Sequence, residues 1–196
     1  MKYKFNIWVE PDSENIIFNN IDVVEAGISF IFWEDYELDI NRIPEEVLQR
    51  TEFNERNQID ISSLIKLFRS SVKPESSVID IIFLSSDIYY KDKEYIFAAT
   101  HIPSKTIVIS LCRLSRTYDL GGFTDENTLR TRVFKEILHE LGHLLGLDHC
   151  NDEKCVMSFS PNLRALDDKL PFFCRVCVDR LKAMGYKVFT SDESIV

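Results

Sequence analysis

The stretch "KEILHELGHLLGLDHCNDEKCVMSFS", residues 135–160, holds three of the chain's four histidines and two of its five cysteines within 26 residues. His139 and His143 are four residues apart, so on a helix both imidazoles leave from one face, close enough to share a metal ion. Glu140 stands beside them and can approach a metal-bound water without being a ligand, the arrangement of a zinc hydrolase. If the helix ran on, His149 would lie about 9 Å past His143 and about 120° around the axis, out of reach of the same ion. Gly146 lies between them, and glycine accepts the left-handed conformation that ends a helix, so the chain can fold Leu147, Asp148 and His149 under the metal. Three neutral histidine nitrogens with an open fourth position describe a catalytic zinc site, with Asp148 as the alternative third ligand.

The cysteines carry a second pattern. Cys150 and Cys155 are separated by four residues, and Cys174 and Cys177 by two. Four thiolates in two short pairs match a closed tetrahedral zinc site, which binds no substrate and supplies folding energy. The competing readings are disulfides and a set of buried thiols. The opening MKYKFNIWVE reaches Asn6 and Glu10 too soon for the apolar core of an export signal. A cytoplasmic location is the expectation, and there metal is favoured over disulfides.

HELGHLLGLDHC followed by NDEK, CVM and CRVC resembles the archaemetzincins, whose motif joins a metzincin zinc helix to a four-cysteine site. The resemblance implies a catalytic zinc on His139, His143 and His149, Glu140 as general base, and a Met-turn at Met157 beneath the metal. It implies a second, structural zinc on Cys150, Cys155, Cys174 and Cys177, so two zinc ions in all. It also implies an α/β fold of metzincin-like zincin type: a twisted mixed sheet with one antiparallel edge strand packed on helices that include the zinc-binding helix, plus a small C-terminal helical lobe. On this reading residues 1–196 form one metallopeptidase domain, with 1–146 as the upper subdomain and 147–196 as the lower. One departure is visible: sixteen residues separate Met157 from Cys174 where the family pattern has seventeen. Because Cys150 adjoins His149 and Cys155 precedes Met157 by two, a cysteine-bound zinc would clamp both ends of the segment carrying the third histidine and the Met-turn.

Further out, 196 residues suffice for one sizeable core, and 45% hydrophobic with 28% charged residues is ordinary for a globular chain. The net charge of -9 and the absence of any dense Lys/Arg block argue against nucleic acid and anionic lipid as partners. No run approaches the roughly 18 uninterrupted apolar residues of a membrane span. Tyr3, Phe5, Ile7 and Val9 alternate as in a half-buried strand, Ser13 to Ala26 reads as a helix, and the apolar run Ile28 to Trp33 reads as a second strand after Gly27. The polar segment 34–58 reads as mostly loop. Asp60 caps a helix bearing Ile61, Leu64, Ile65 and Phe68. Val78 to Leu84 and Thr106 to Leu111 suit buried strands, and Tyr95 to Thr100 an edge strand. Helices are expected from about Glu126 to Leu145 and from Pro171 to Gly185.

Other residues take plainer readings. Phe159 occupies the position where some metzincins carry an additional tyrosine ligand, so that ligand is missing. Cys112 reads as an inert core thiol, His101 as a surface or loop histidine and Glu136 as a solvated helix residue. The expected activity is zinc-dependent hydrolysis of peptide bonds through a zinc-activated water with Glu140 as general base, on short peptides or a restricted substrate, in aminopeptidase or endopeptidase mode. An extended peptide would add to the edge strand around Ile96 to Thr100, and the chain is expected to be a monomer. The rival reading is a zinc-stabilised peptide-binding module with negligible turnover.

Overall fold

The computed structural model describes residues 3–33, 36–186 and 188. Alternation at the start of the chain forms β1 (Tyr3–Val9), with Phe5, Ile7 and Val9 buried. There follow α1 (Glu14–Asn19), α2 (Ile21–Phe32), β2 (Tyr36–Arg42), α3 (Glu45–Arg50), β3 (Gln58–Asp60), α4 (Ile61–Ser71) and β4 (Val78–Leu84). The short strands β5 (Asp87–Tyr90), β6 (Lys93–Ile96) and β7 (Ala98–His101) lead to β8 (Thr106–Ser110) and α5 (Leu111–Leu114). The chain then enters α6 (Glu126–Leu144), α7 (Leu163–Asp168) and α8 (Arg175–Ala183). Two compact units result, one of Met1–Asn19 with Tyr36–Leu114 and one of Asn20–Asp35 with Ser115–Val196.

The first unit is built on a mixed sheet of order β2-β1-β4-β8-β7, parallel except for β7, which runs antiparallel to β8 at the edge. A separate sheet has the order β3-β5-β6. Every residue of β4 is buried, as a near-continuous apolar run requires when both faces are covered. Its one charged member, Asp80, is matched to Arg69 at 2.7 Å and accepts a hydrogen bond from the Trp8 indole. The Asp60 side chain caps α4 at the Ser62 N–H, and Ile61, Leu64, Ile65 and Phe68 all face the core, as their spacing predicts.

Three expectations need correction. Residues 34–58 are not mostly loop, for they contain β2 and α3, with Gln58 opening β3. β2 pairs with β1 on one side only, and such an edge strand tolerates the Glu37, Asp39 and Arg42 that hid its alternation. The Tyr95–Thr100 run is divided at Phe97 between β6 and β7, which belong to different sheets. Ile28 to Phe32 is not a strand but the second half of α2.

That last misreading has a definite cause in the second unit. Gly27 does not break the helix; it is where α2 meets α6, since a Cβ there would fall 2.7 Å from Ile137 Cγ2. Val23, Val24, Gly27, Ile28, Ile31 and Phe32 are buried on one helical face, but Ala26 and Phe30 are apolar beyond that face, so the near-continuous run Ile28 to Phe32 reads locally like a buried strand. Phe30 adds ring contacts to Phe134, Phe172 and Phe173. α6 is capped by Asp125, which accepts from the Thr128 N–H. The last helix starts later than Pro171 because Cys174 is its N-cap residue; it stops at Gly185, whose φ of +93° suits glycine. α7 has no counterpart in the sequence reading.

Candidate metal centres

α6 delivers His139, Glu140 and His143 from one turn, and the chain then reverses as Gly146 predicts. Gly146 takes φ +95°, its N–H donates to the His143 carbonyl at 3.0 Å, and the Leu147 N–H donates to the Gly142 carbonyl at 2.9 Å. These are the two hydrogen bonds of a Schellman ending. The reversal brings the His149 ring to 4.8 Å from that of His143 and 5.3 Å from that of His139, centroid to centroid. One nitrogen from each of the three rings lies within 4.8 Å of the others. Asp148 is exposed and stands outside this cluster.

The tautomers follow from the partners. His139 Nδ1 lies 2.8 Å from the Val156 carbonyl oxygen and His143 Nδ1 2.8 Å from that of Leu147. A carbonyl only accepts, so each Nδ1 carries the proton and each Nε2 presents a lone pair. These two Nε2 atoms face each other at 3.1 Å. Lone pairs so opposed repel unless a cation lies between them, and a tetrahedral zinc with nitrogen ligands would set them about 3.3 Å apart. Burial, first of all, lowers the pKa of all three histidines, that of His139 most strongly, which keeps the nitrogens neutral as metal binding requires. The donor set fits zinc. Glu140 is buried on the same turn, and His149, with the Phe159 ring 5.4 Å away, marks the exposed side.

The four cysteines gather in the same unit. Cys150 Sγ is 3.7 Å from Cys174 Sγ, and Cys155 Sγ is 3.8 Å from Cys177 Sγ. Both separations are far too long for a disulfide and match the edge of a zinc–thiolate tetrahedron, about 3.8 Å for bonds of about 2.3 Å. Backbone N–H groups of Met157 and Cys174 point at Cys155 Sγ from 3.4 and 3.3 Å, so its negative charge is provided for. Burial pushes the Cys155 thiol up to about 11 and the Cys177 thiol higher still, and uptake of a cation must release those protons.

A three-residue segment links the two clusters. Cys155 supplies a thiol, the Val156 carbonyl anchors the His139 ring, and Met157 is fully buried against Gly142 of α6. The Cys150 N–H donates to the Met157 carbonyl and the Val156 N–H to the Phe172 carbonyl, each at 2.9 Å.

The remaining residues separate cleanly. His101 ends β7 in the first unit, exposed and bonded through Nδ1 to Ser104 Oγ at 2.6 Å. Cys112 is half-buried in α5 and outside the thiol cluster. Glu136 is a correction: far from being solvated it is 4% exposed, and burial raises its pKa to about 7 against the pull of Lys169 and Lys135. Sequence reasoning also missed three buried cations. Arg132 forms a two-pronged pair with Asp167 at 2.8 and 2.7 Å, and Lys135 donates to the carbonyls of Leu166 and Asp167, tying α6 to α7. Lys169 donates to the Val156 carbonyl at 3.3 Å. A helical i, i+3, i+4 register of Arg132, Lys135 and Glu136 was the only available hint.

Comparison with known proteins agrees with this chemistry. Residues 19–183 match the model of peptidase family M54. The chain is 40% identical over 101 residues to an archaemetzincin of Natronomonas pharaonis, a match spanning 50% of this chain and 58% of that protein, a little over half its length. With an archaemetzincin of Haloquadratum walsbyi it shares 33% identity over 146 residues, 72% of this chain and 82% of the other. The crystal structure of archaemetzincin from Methanopyrus kandleri superimposes with a TM-score of 0.74 at 27% identity, covering 93% of this chain and 95% of that one.

Proposed function

The chain belongs to peptidase family M54, and from that premise we propose that it is a zinc-dependent peptidase with Glu140 as general base. His139, His143 and His149 hold the catalytic ion, and Cys150, Cys155, Cys174 and Cys177 hold a second, structural zinc. The observation that carries the reading is the pair of Nε2 lone pairs facing each other at 3.1 Å, with both Nδ1 protons committed to backbone carbonyls. Zinc bound there supplies Lewis-acid chemistry, polarising the scissile carbonyl and acidifying a water molecule.

The chain's own groups do the rest. Glu140 accepts the proton as the water oxygen attacks the carbonyl carbon, then passes it to the amine nitrogen as the C–N bond breaks, so one water is consumed per bond cut. Its position beside His139 on a buried turn keeps the proton in that local exchange. The carbonyls of Val156 and Leu147 hold the rings of His139 and His143 in register throughout. Substrates are peptides or proteins.

The test incubates zinc-loaded protein with a diverse peptide library and maps cleavage by mass spectrometry, beside a Glu140→Ala variant. Wild type should cleave. The variant should keep its zinc and lose hydrolysis by roughly 10² to 10⁴ fold. If neither protein cleaves while both bind the same peptides, the chain is a zinc-stabilised binding module instead.

A further inference from the structure

Lys169 follows α7 with only 3% of its surface exposed, a rare fate for a lysine. Its ammonium donates to the Val156 carbonyl oxygen at 3.3 Å, and the same oxygen accepts the His139 Nδ1–H at 2.8 Å. Glu136, Cys155, Lys135 and Glu140 are the charged or ionisable groups whose fields reach it. The lysine thus touches the backbone atom that orients the His139 ring.

Two effects of that placement act in the same direction. A cation on a carbonyl oxygen draws electron density from it and weakens it as an acceptor, and a histidine with a weaker Nδ1–H bond is a poorer donor through Nε2. An ammonium held this close in a water-poor interior also repels a second cation on the far side of the ring. Each effect leaves an ion at the histidine cluster less tightly held and more electrophilic.

We propose that Lys169 is a positioning residue that acts through the Val156 carbonyl on His139, lowering the affinity of the histidine site for its metal ion while raising that ion's reactivity. The second half rests on the peptidase reading; the first does not.

The test uses the full chain carrying Lys169→Met, a substitution close in length and without charge. Zinc affinity of the histidine site is measured by competition with a chromophoric chelator, and kcat and KM on a peptide that wild type cleaves. Zinc should bind tighter by about 10-fold or more, and kcat should fall by a similar factor with KM little changed. A residue with a merely structural role would loosen the site and weaken zinc, so unchanged or weaker affinity overturns the proposal. Tighter zinc with undiminished kcat overturns its link to the reaction. The double variant Glu136→Gln/Lys169→Met removes both buried charges together and should show the same tightening where the single variant folds poorly. If wild type cleaves nothing, the peptidase reading falls, and the affinity measurement still decides what Lys169 does to the metal site.

Discussion

Gly142 and Met157 leave no room between them: a Cβ on Gly142 would lie 2.3 Å from Met157 Sδ and 3.0 Å from its Cε. Met157 is fully buried and Phe173 Cε1 stands 3.3 Å from the same point, so the thioether can yield only by repacking against its buried neighbours. Gly142→Ala should therefore destabilise the protein by about 1–3 kcal/mol, as overpacking does. It should also weaken zinc at the histidine site, because His143 is the next residue. Urea denaturation and chelator competition check both effects; a variant with wild-type midpoint and wild-type affinity would show that the methionine can swing aside.

Purified protein loaded with zinc should hold two ions per chain, one for each donor cluster. A chelator should strip one ion quickly and the other slowly, since the histidine site has an open side at His149 and the cysteine site is closed by four thiols. Elemental analysis against time checks this, and a single class of ion would contradict the two-site reading.

Cys177→Ala should injure the histidine site as well as its own. Loss of the thiol cage frees Cys155, and Cys155 is bonded into the segment whose Val156 carbonyl holds His139 and whose Met157 fills the space under Gly142. Thermal stability and zinc occupancy at the histidines should fall together. Full occupancy with an unchanged melting temperature would separate the two sites.

Glu136 gives a pH dependence of definite sign. Its folded pKa, raised by burial to about 7, lies above the unfolded value of 4.5. Such a group contributes stability that is fully present below pH 4.5 and lost as pH rises through 7. Lys169 is shifted down by the same burial, and the attraction between the two only partly offsets it. Relative to wild type, Glu136→Gln should therefore gain stability between pH 5 and pH 8, by up to about 3 kcal/mol. Denaturation midpoints of both proteins across that range check it; a constant difference would mean that Glu136 is ionised throughout.

Much of the candidate site was legible because most of its clustered donors, His139, His143, His149, Cys150 and Cys155, lie at short spacings along one segment. His139 and His143 needed only helical geometry, and Gly146 only the rule that a left-handed residue ends a helix. Lys169, Lys135 and Arg132 were hidden for the opposite reason: whether a charged side chain is buried depends on partners such as the Val156 and Asp167 carbonyls, which adjoin it only after folding. The fold divides in the same way. α4 announced itself through its cap and one apolar face, whereas in α2 the near-continuous apolar run Ile28 to Phe32 after Gly27 masked the helical face shared by Val23, Val24, Ile28, Ile31 and Phe32, and Gly27 is a contact with Ile137 rather than a punctuation mark.

Cys155, Val156 and Met157 are consecutive, and each is committed to a different partner, so this part of the chain has no tolerance for a change of length. One residue more or fewer between Cys150 and Met157 would part the hydrogen bond that joins them and swing the Val156 carbonyl away from His139. The link from Phe159 to the Asn162 cap of α7 lies outside the Cys150–Met157 stretch. The one-residue shortfall between Met157 and Cys174 falls after that stretch and leaves the spacing from Cys150 to Met157 unchanged. Insertions, epitope tags or exchanged loops placed between Cys150 and Met157 would cost the protein its metal chemistry.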